Sequence, residues 1–425
     1  MSIELIIFIA MIITFIAGCF ALKLPVSIAM VFAAVIGALV GGYGFPLRHL
    51  VEGMFSYVDT VLVITTAMIF MKVVQESGAL DALSALIIQK FRKKPALLLC
   101  LIMLVIMFPG MITGSSTAAV LSAGSIMAPI LIIMGIPMVE TACIIAMGGL
   151  LGMIAPPVNI PAMIIGGGID IPFVGFEGPL ILLTFPLAFL FVLMFGYKYV
   201  KHFDYAQIES KLNRKPIEMH GLKIFIPIFV ALILMIINKA VPALPNLGMP
   251  LIFLISAAVG MFTGDKFSPV KVCSEAVKSV LPVLGILMGV GMFIQIMTLT
   301  GVRGFIVTTC LSLPAGLRYL AMAVAIPLFG AVSSYGSASV LGVPFLLAFL
   351  SSNQIITASA ISLIASLGDM MPPTALAGIF AAQVVGMDNY TPILKRFIIP
   401  SLIIVLWAIG FIVLSNSIAP YIVFK

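Results

Sequence analysis

The chain has 425 residues, of which 62% are hydrophobic and 9% charged, against roughly a quarter charged in a soluble domain. That balance excludes a water-soluble enzyme, a disordered chain and a nucleic-acid partner, whatever the net charge of +7. At about 20 apolar residues per bilayer crossing, there is room for ten or more crossings, and the chain reads as an all-α polytopic membrane protein.

Apolar runs follow in chain order at 4–22, 25–43, 57–76, 96–134, 139–166 and 178–200. The opening Met1-Ser2-Ile3-Glu4 has no basic n-region, so the first run is expected to stay in the protein. A polar, charged stretch over 201–221 interrupts the series. Six further runs lie at 222–241, 249–264, 280–298, 318–349, 354–384 and 397–418. The two series agree in order, as a duplicated unit would. We expect a first repeat over 1–200, a cytoplasmic linker over 201–221 and a second repeat over 222–425.

Local motifs repeat in the same register. Gly152-Met-Ile-Ala-Pro156-Pro157 is matched by Gly368-Asp-Met-Met-Pro372-Pro373. Upstream of each lies a Gly/Ser patch, Gly114-Ser115-Ser116-Thr117 in one half and Ser333-Ser334-Tyr335-Gly336-Ser337 in the other. Run 96–134 would form a helix of about 58 Å, nearly twice a bilayer core of about 30 Å. Its uncharged patch divides it into two apolar arms, which suits a re-entrant hairpin with its tip at membrane depth; two full crossings joined by a tight turn are the alternative. Run 318–349 is its counterpart. Runs 139–166 and 354–384 are each interrupted midway by Pro-Pro, which removes backbone donors and breaks the helix. Irregular backbone survives at that depth only where protein or a wet cavity supplies partners. Each half is therefore expected to bring one hairpin tip and one discontinuous helix to a shared polar centre.

Either treatment of the hairpins leaves an odd number of crossings per half, so the second half is inverted relative to the first. Sixteen Lys and Arg fall on the side opposite the N-terminus and five on the N-terminal side, with Lys72 too deep to assign. The positive-inside rule makes the richer side cytoplasmic and both termini periplasmic or extracellular. An inverted repeat around broken helices is the architecture of alternating-access secondary transporters.

Asp369 lies in the middle of an apolar run. A carboxylate at membrane depth reads as an ion ligand or a proton carrier; one tied to backbone donors that fix the break is the alternative. Its counterpart is Met153, so the duplication is asymmetric in charge. The tips offer the hydroxyls of Ser115, Ser116 and Thr117 in one half and of Ser333, Ser334, Ser337 and Ser339 in the other. Such oxygens suit a hard cation such as Na+, or else close helix packing. Asn159 adds an amide for an ion or a substrate carboxylate, which its counterpart Ala375 cannot. Half-helices starting at the breaks aim N–H groups inward, where the dipole favours an anion, and no Arg or Lys lies beside the breaks. The cation-site candidates are thus Ser115, Ser116, Gly152, Pro156, Ser334, Ser337, Gly368 and Asp369. The substrate-site candidates are Thr117, Asn159, Ser339 and Thr374. The five cysteines lack CxxC spacing and read as small apolar packing groups. His49, His202 and His220 all fall in connecting segments. No organic cofactor and no metal other than a coupling ion, Na+ or H+, is expected.

At these motifs the chain resembles the large membrane subunit of TRAP (tripartite ATP-independent periplasmic) transporters, the DctM-like permeases of the ion transporter superfamily. The resemblance runs almost end to end. Its most specific stretches are Thr113-Gly-Ser-Ser-Thr-Ala-Ala-Val-Leu-Ser-Ala-Gly-Ser-Ile-Met-Ala-Pro129 and Leu151-Gly-Met-Ile-Ala-Pro-Pro157. They are similar to the family's Ser-Gly-Ser-Ser hairpin with its Gly-Ser-Ile-Met-Ile-Pro, and to its Leu-Gly-x-Ile-Ile-Pro-Pro break. The resemblance implies an elevator mechanism, Na+ coupling at both hairpin-and-break pairs and uptake of a dicarboxylate or sugar acid across the bacterial inner membrane. It also implies a small TRAP membrane subunit and a periplasmic substrate-binding protein as partners, besides membrane lipid. Carried over by residue, the first cation site would hold Ser115, Ser116 and the backbone around Gly152 and Pro156.

Three positions depart from that pattern. Met371 stands where the family usually has Thr before Pro-Pro, Ser334 where it often has Asp, and Asp369 where it is apolar, as though a carboxylate had moved from the hairpin to the facing broken helix. Ile64-Thr-Thr-Ala-Met-Ile-Phe70 replaces the family's Pro-Phe-Phe-Ile-Leu-Ala-Gly stretch, as a stand-alone relative could. The expected function is cation-coupled secondary active uptake of a small organic anion. The alternative is a cation/proton antiporter of the same superfamily with Asp369 as the exchanging carboxylate. An intramembrane protease is excluded, since Ser366-Leu-Gly-Asp369 lacks the first Gly of Gly-x-Gly-Asp and no second Asp or any His lies at membrane depth.

Overall fold

An apolar run in lipid must satisfy its own backbone, which a helix does. The computed structural model describes residues 2–91, 93–200, 214–240, 245, 247–372 and 375–423. Among these residues there is no strand, and eight helices are long and apolar enough to cross a membrane. The chain is an all-helical multi-pass membrane protein.

The first half contains α1 (Ile3–Phe20), α2 (Val26–Val40), α3 (Leu47–Phe55), α4 (Val58–Glu76) and α5 (Ala79–Phe91). Its hairpin follows as α6 (Pro95–Thr113), α7 (Ser116–Ala119) and α8 (Ser125–Ile133), then its discontinuous helix as α9 (Met138–Ile154) and α10 (Ile160–Gly167), and α11 (Glu177–Val200) closes the half. The second half repeats this order. After a short α12 (Lys215–His220) come α13 (Ile226–Ala240), α14 (Gly248–Gly260), α15 (Pro269–Leu299) and α16 (Val302–Ser312). Its hairpin is α17 (Ala315–Gly330), α18 (Ser334–Ser337) and α19 (Val343–Ala348). Its discontinuous helix is α20 (Gln354–Ser366) and α21 (Leu376–Val385), followed by α22 (Thr391–Val413) and α23 (Ser415–Ile422). The turns before α5 and α16 both use a glycine in the left-handed region, Gly78 at φ +78° and Gly301 at φ +76°, where a side chain would be strained.

Differences from the apolar runs have local causes. α15 begins at Pro269 rather than near 280, because Lys271, Glu275 and Lys278 are good helix formers and Pro269 fits a helix's first turn. The amphipathic α3 falls between runs, since its Arg48 and Glu52 break the apolar pattern while pairing one turn apart at 2.8 Å. Of the expected linker, 201–213 lie outside the described residues. His220 ends α12 and its Nε2 meets Asp265 Oδ1 at 2.8 Å. All five cysteines are free thiols.

Two groups of helices divide the work. In one, α2 and α4 both pack on α15, and α15 crosses α3 where Gly53 and Gly291 bring backbones together; a Cβ on either would strike the other's carbonyl. In the other, α6 packs on α9 and α17 on α20, with α11 behind α9 and α22 behind α20. Each hairpin crosses its own broken helix at a glycine pair. A Cβ on Gly110 would lie 2.9 Å from the carbonyl carbon of Gly152, and one on Gly368 would lie 2.6 Å from Cα of Gly330. The halves also interleave, for α10 lies on α20 and α21 lies on α9. Directly after each tip, the returning arm winds as a π-helix, at Val120–Gly124 and at Ala338–Gly342, and each receives the other half's α21 or α10. π-turns of this kind concentrate at functional sites.

Candidate functional site

Each hairpin turns at a serine. Gly114, at φ +64°, ends α6, and Ser115 then accepts a hydrogen bond from Ala118 N at 3.3 Å to start α7. Ser333 does the same for α18 by accepting from Gly336 N at 3.1 Å. Both are helix N-caps. The tips touch, since Tyr335 Oη donates to the Gly114 carbonyl at 3.0 Å. Full crossings entering from opposite faces would hold their turns a bilayer apart, so this contact fits two re-entrant hairpins.

Asp369 sits in a 3-10 turn, Leu367–Met370, at the second break and is 6% exposed. Ser116 Oγ donates to Asp369 Oδ2, and Ser334 of the second tip stands beside the same carboxylate. The sequence paired Asp369 with the second hairpin alone; folded, it is shared by the tips of both halves.

A cavity of about 510 Å³ opens at this junction. On one side stand the tips, through Ser115, Ser116, Thr117, Ser333, Ser334 and Tyr335, together with Asp369. On the other stand Met68, Met71, Lys72 and Gln75 of α4, and Ser279, Pro282 and Ile286 of α15. Lys72 and Gln75 were not among the sequence candidates. No Lys lies beside a break in sequence, but α4 carries one to the cavity wall. The available signal was the spacing: Met68, Met71, Lys72 and Gln75 share one helical face, so a lysine inside an apolar run points the same way as a glutamine. Among the described residues the Lys72 ammonium has no carboxylate partner.

Other candidates stand elsewhere. Asn159 is fully buried and caps α10, accepting from Ala162 N at 2.9 Å. Its Nδ2 donates to the Ile154 carbonyl and to Ser362 Oγ, each at 2.9 Å. Both amide hydrogens are thus committed, and Asn159 ties α10 to α20 instead of facing the cavity. Ser337 donates back to the Ser334 carbonyl and Ser339 to that of Gly336, both at 2.8 Å, and neither reaches the wall. Gly152 and Gly368 form the hairpin crossings. Pro156 is buried in the first break. Thr374, with Pro373, lies outside the described residues.

The sequence pattern of the family described as CitMHS, citrate transporter, matches residues 5–278. No curated protein matches the chain by sequence. The fold is similar to the crystal structure of the YdaH transporter of Alcanivorax borkumensis, described as having an unusual topology, with a TM-score of 0.59 and 16% identity over 87% of each chain.

Proposed function

Because the chain belongs to the CitMHS citrate transporter family, and so is a transporter rather than an enzyme, we propose that its central cavity carries a di- or tricarboxylate, citrate first among them, together with a coupling cation. The observation that carries this reading is the convergence of both hairpin tips and Asp369 on one cavity, which also holds a lysine with no carboxylate partner among the described residues. Asp369 with the hydroxyls of Ser116 and Ser334 is an oxygen set for Na+, or a proton acceptor. Lys72 and Gln75 are donors for a substrate carboxylate, helped by hydroxyls such as Thr117 and Ser279.

Charge explains the coupling. A tricarboxylate would add three negative charges to that of Asp369, against the single positive charge of Lys72. Uncompensated charge at membrane depth is expensive, so the loaded site is stable only when cations enter with the substrate. The cavity wall is split between α2, α4 and α15 on one side and the hairpin core on the other, which supports an elevator in which the core slides past those helices. With the basic loops read as cytoplasmic, Val26 at the start of α2 and Gln75 near the end of α4 support a cavity that opens towards the cytoplasm from a bacterial inner membrane, with both termini outside.

A stand-alone carrier is supported by the stretch 64–70, whose Ile64, Ala67 and Phe70 are buried within the chain, Phe70 stacking on Phe253 at 5.7 Å. The form with a small TRAP subunit and a periplasmic binding protein is its competitor. Uptake of labelled citrate by the purified chain in vesicles tests both. Accumulation driven by a Na+ or proton gradient without added partners supports the stand-alone symporter; uptake only with partners supports the TRAP form. Na+/proton exchange with no carboxylate flux would replace the reading with the antiporter.

A further inference from the structure

Away from the central cavity, two hollows flank the first turns of α22 and meet at Lys395. One, of about 250 Å³, lies between α22 and the end of α11 and is lined by Lys198, Lys395 and Arg396 beside Glu140. Arg396 Nη2 is 3.3 Å from Glu140 Oε1, and Lys198 Nζ lies 4.6 Å from the centroid of the Tyr199 ring. Lys395 has no anionic partner among the described residues. The cluster therefore keeps a net positive charge after its internal pair is formed.

The second hollow, of about 440 Å³, is a mostly apolar groove on the other flank of α22, lined by Leu394, Leu402 and Val405 on that helix and by Leu367, Met370 and Met371 of the second break. Its lining on α22 extends from Thr391 to Val405, about 21 Å at 1.5 Å per residue. Ile398 and Ile399, 61% and 66% exposed, flank it on the outer surface, where they meet hydrocarbon in a bilayer.

We propose that these joined hollows, with Lys198 and Lys395 above an apolar groove that reaches the second break, form a binding site for an anionic phospholipid. The phosphate lies in the basic hollow and one acyl chain in the groove. The combination selects the ligand. A free phosphate would leave the groove empty, a zwitterionic lipid would bring an ammonium to a cationic hollow, and a fatty acid would offer its two carboxylate oxygens but no phosphodiester headgroup to several donors. Basic pockets between spanning helices on the cytoplasmic side suit such headgroups, which is the side where the loop charges place Lys198 and Lys395. The groove wall includes the turn that holds Asp369, so an acyl chain would brace the second break from behind and change transport rate.

Native mass spectrometry of the purified full chain, equilibrated with phosphatidylglycerol or phosphatidylcholine, tests the site. Two variants separate its parts: Lys198→Gln with Lys395→Gln, which spares the Arg396–Glu140 pair, and Val405→Trp, which fills the groove and leaves every charge in place. The wild type should retain phosphatidylglycerol in preference to phosphatidylcholine, and each variant should retain it about tenfold less or weaker, with thermal unfolding in detergent showing that both still fold. In vesicles, adding phosphatidylglycerol should speed uptake by the wild type but not by the lysine variant. Equal retention of both lipids by the wild type would overturn the proposal. So would retention by Val405→Trp at the wild-type level, which would reduce the effect to general attraction between basic residues and an acidic surface.

Discussion

Asp369 and Lys72 bring an acid and a base into one cavity from two different groups of helices, and their removal should have different effects. Asp369→Asn keeps the shape and the Ser116 contact but removes the charge, so gradient-driven accumulation in vesicles should fall at least about tenfold, as for the loss of a charged hydrogen-bonding group. Unchanged uptake with unchanged ion dependence would refute its assignment. Lys72→Met should raise the KM for citrate by about ten- to a hundredfold while leaving the choice of coupling ion intact. Asn159→Ala should cost about 1–3 kcal/mol of stability through the lost cap and an unpaired buried group, read as a lower unfolding temperature, with the KM of the folded fraction unchanged. The position of Asp369 among the tips was legible, because a lone carboxylate in an apolar run must find polar partners, and Ser116 is one. Lys72 was not, because only folding brings α4 against the hairpin tips. For Asn159 the sequence left the placement open, since an amide beside a break is as well suited to capping the next half-helix, where the structure has it, as to facing a cavity.

The elements repeat down to their irregularities. The hairpins and the breaks could be read from motifs, since each depends on residue types with strong local preferences. The π-turns after the tips could not, because nothing in Val120–Gly124 or Ala338–Gly342 distinguishes a π-turn from an α-turn; the opposite half packed against them does. The motif glycines Gly152 and Gly368 were legible as special but for another use, and the structure gives them the close crossings with α6 and α17. A Cβ on Gly152 would lie 2.6 Å from the Met107 carbonyl oxygen. Gly152→Ala and Gly368→Ala should therefore each cost about 1–3 kcal/mol by overpacking. Gly304→Ala, where a Cβ meets nothing within 4 Å, should be neutral or slightly stabilising on a helix. Thermal unfolding in detergent checks all three, and equal behaviour would mean that the crossings are looser than described.

At the level of the whole molecule, the matching order of apolar runs made the duplication readable, because hydropathy records which segments must lie in lipid. It could not record which half packs on which. The two halves exchange their C-terminal half-helices, and the Ser116–Asp369 bond joins hairpin and break across that exchange, so a cation bound there would touch both repeats at once. Reciprocity then requires that whatever the cation does for substrate affinity, the substrate does for cation affinity. Binding of citrate to the purified protein, titrated with and without the coupling cation in the wild type and in Asp369→Asn, tests this most directly. The cation should tighten citrate binding in the wild type and have no effect in the variant. Equal cation dependence in both proteins, or none in the wild type, would contradict it.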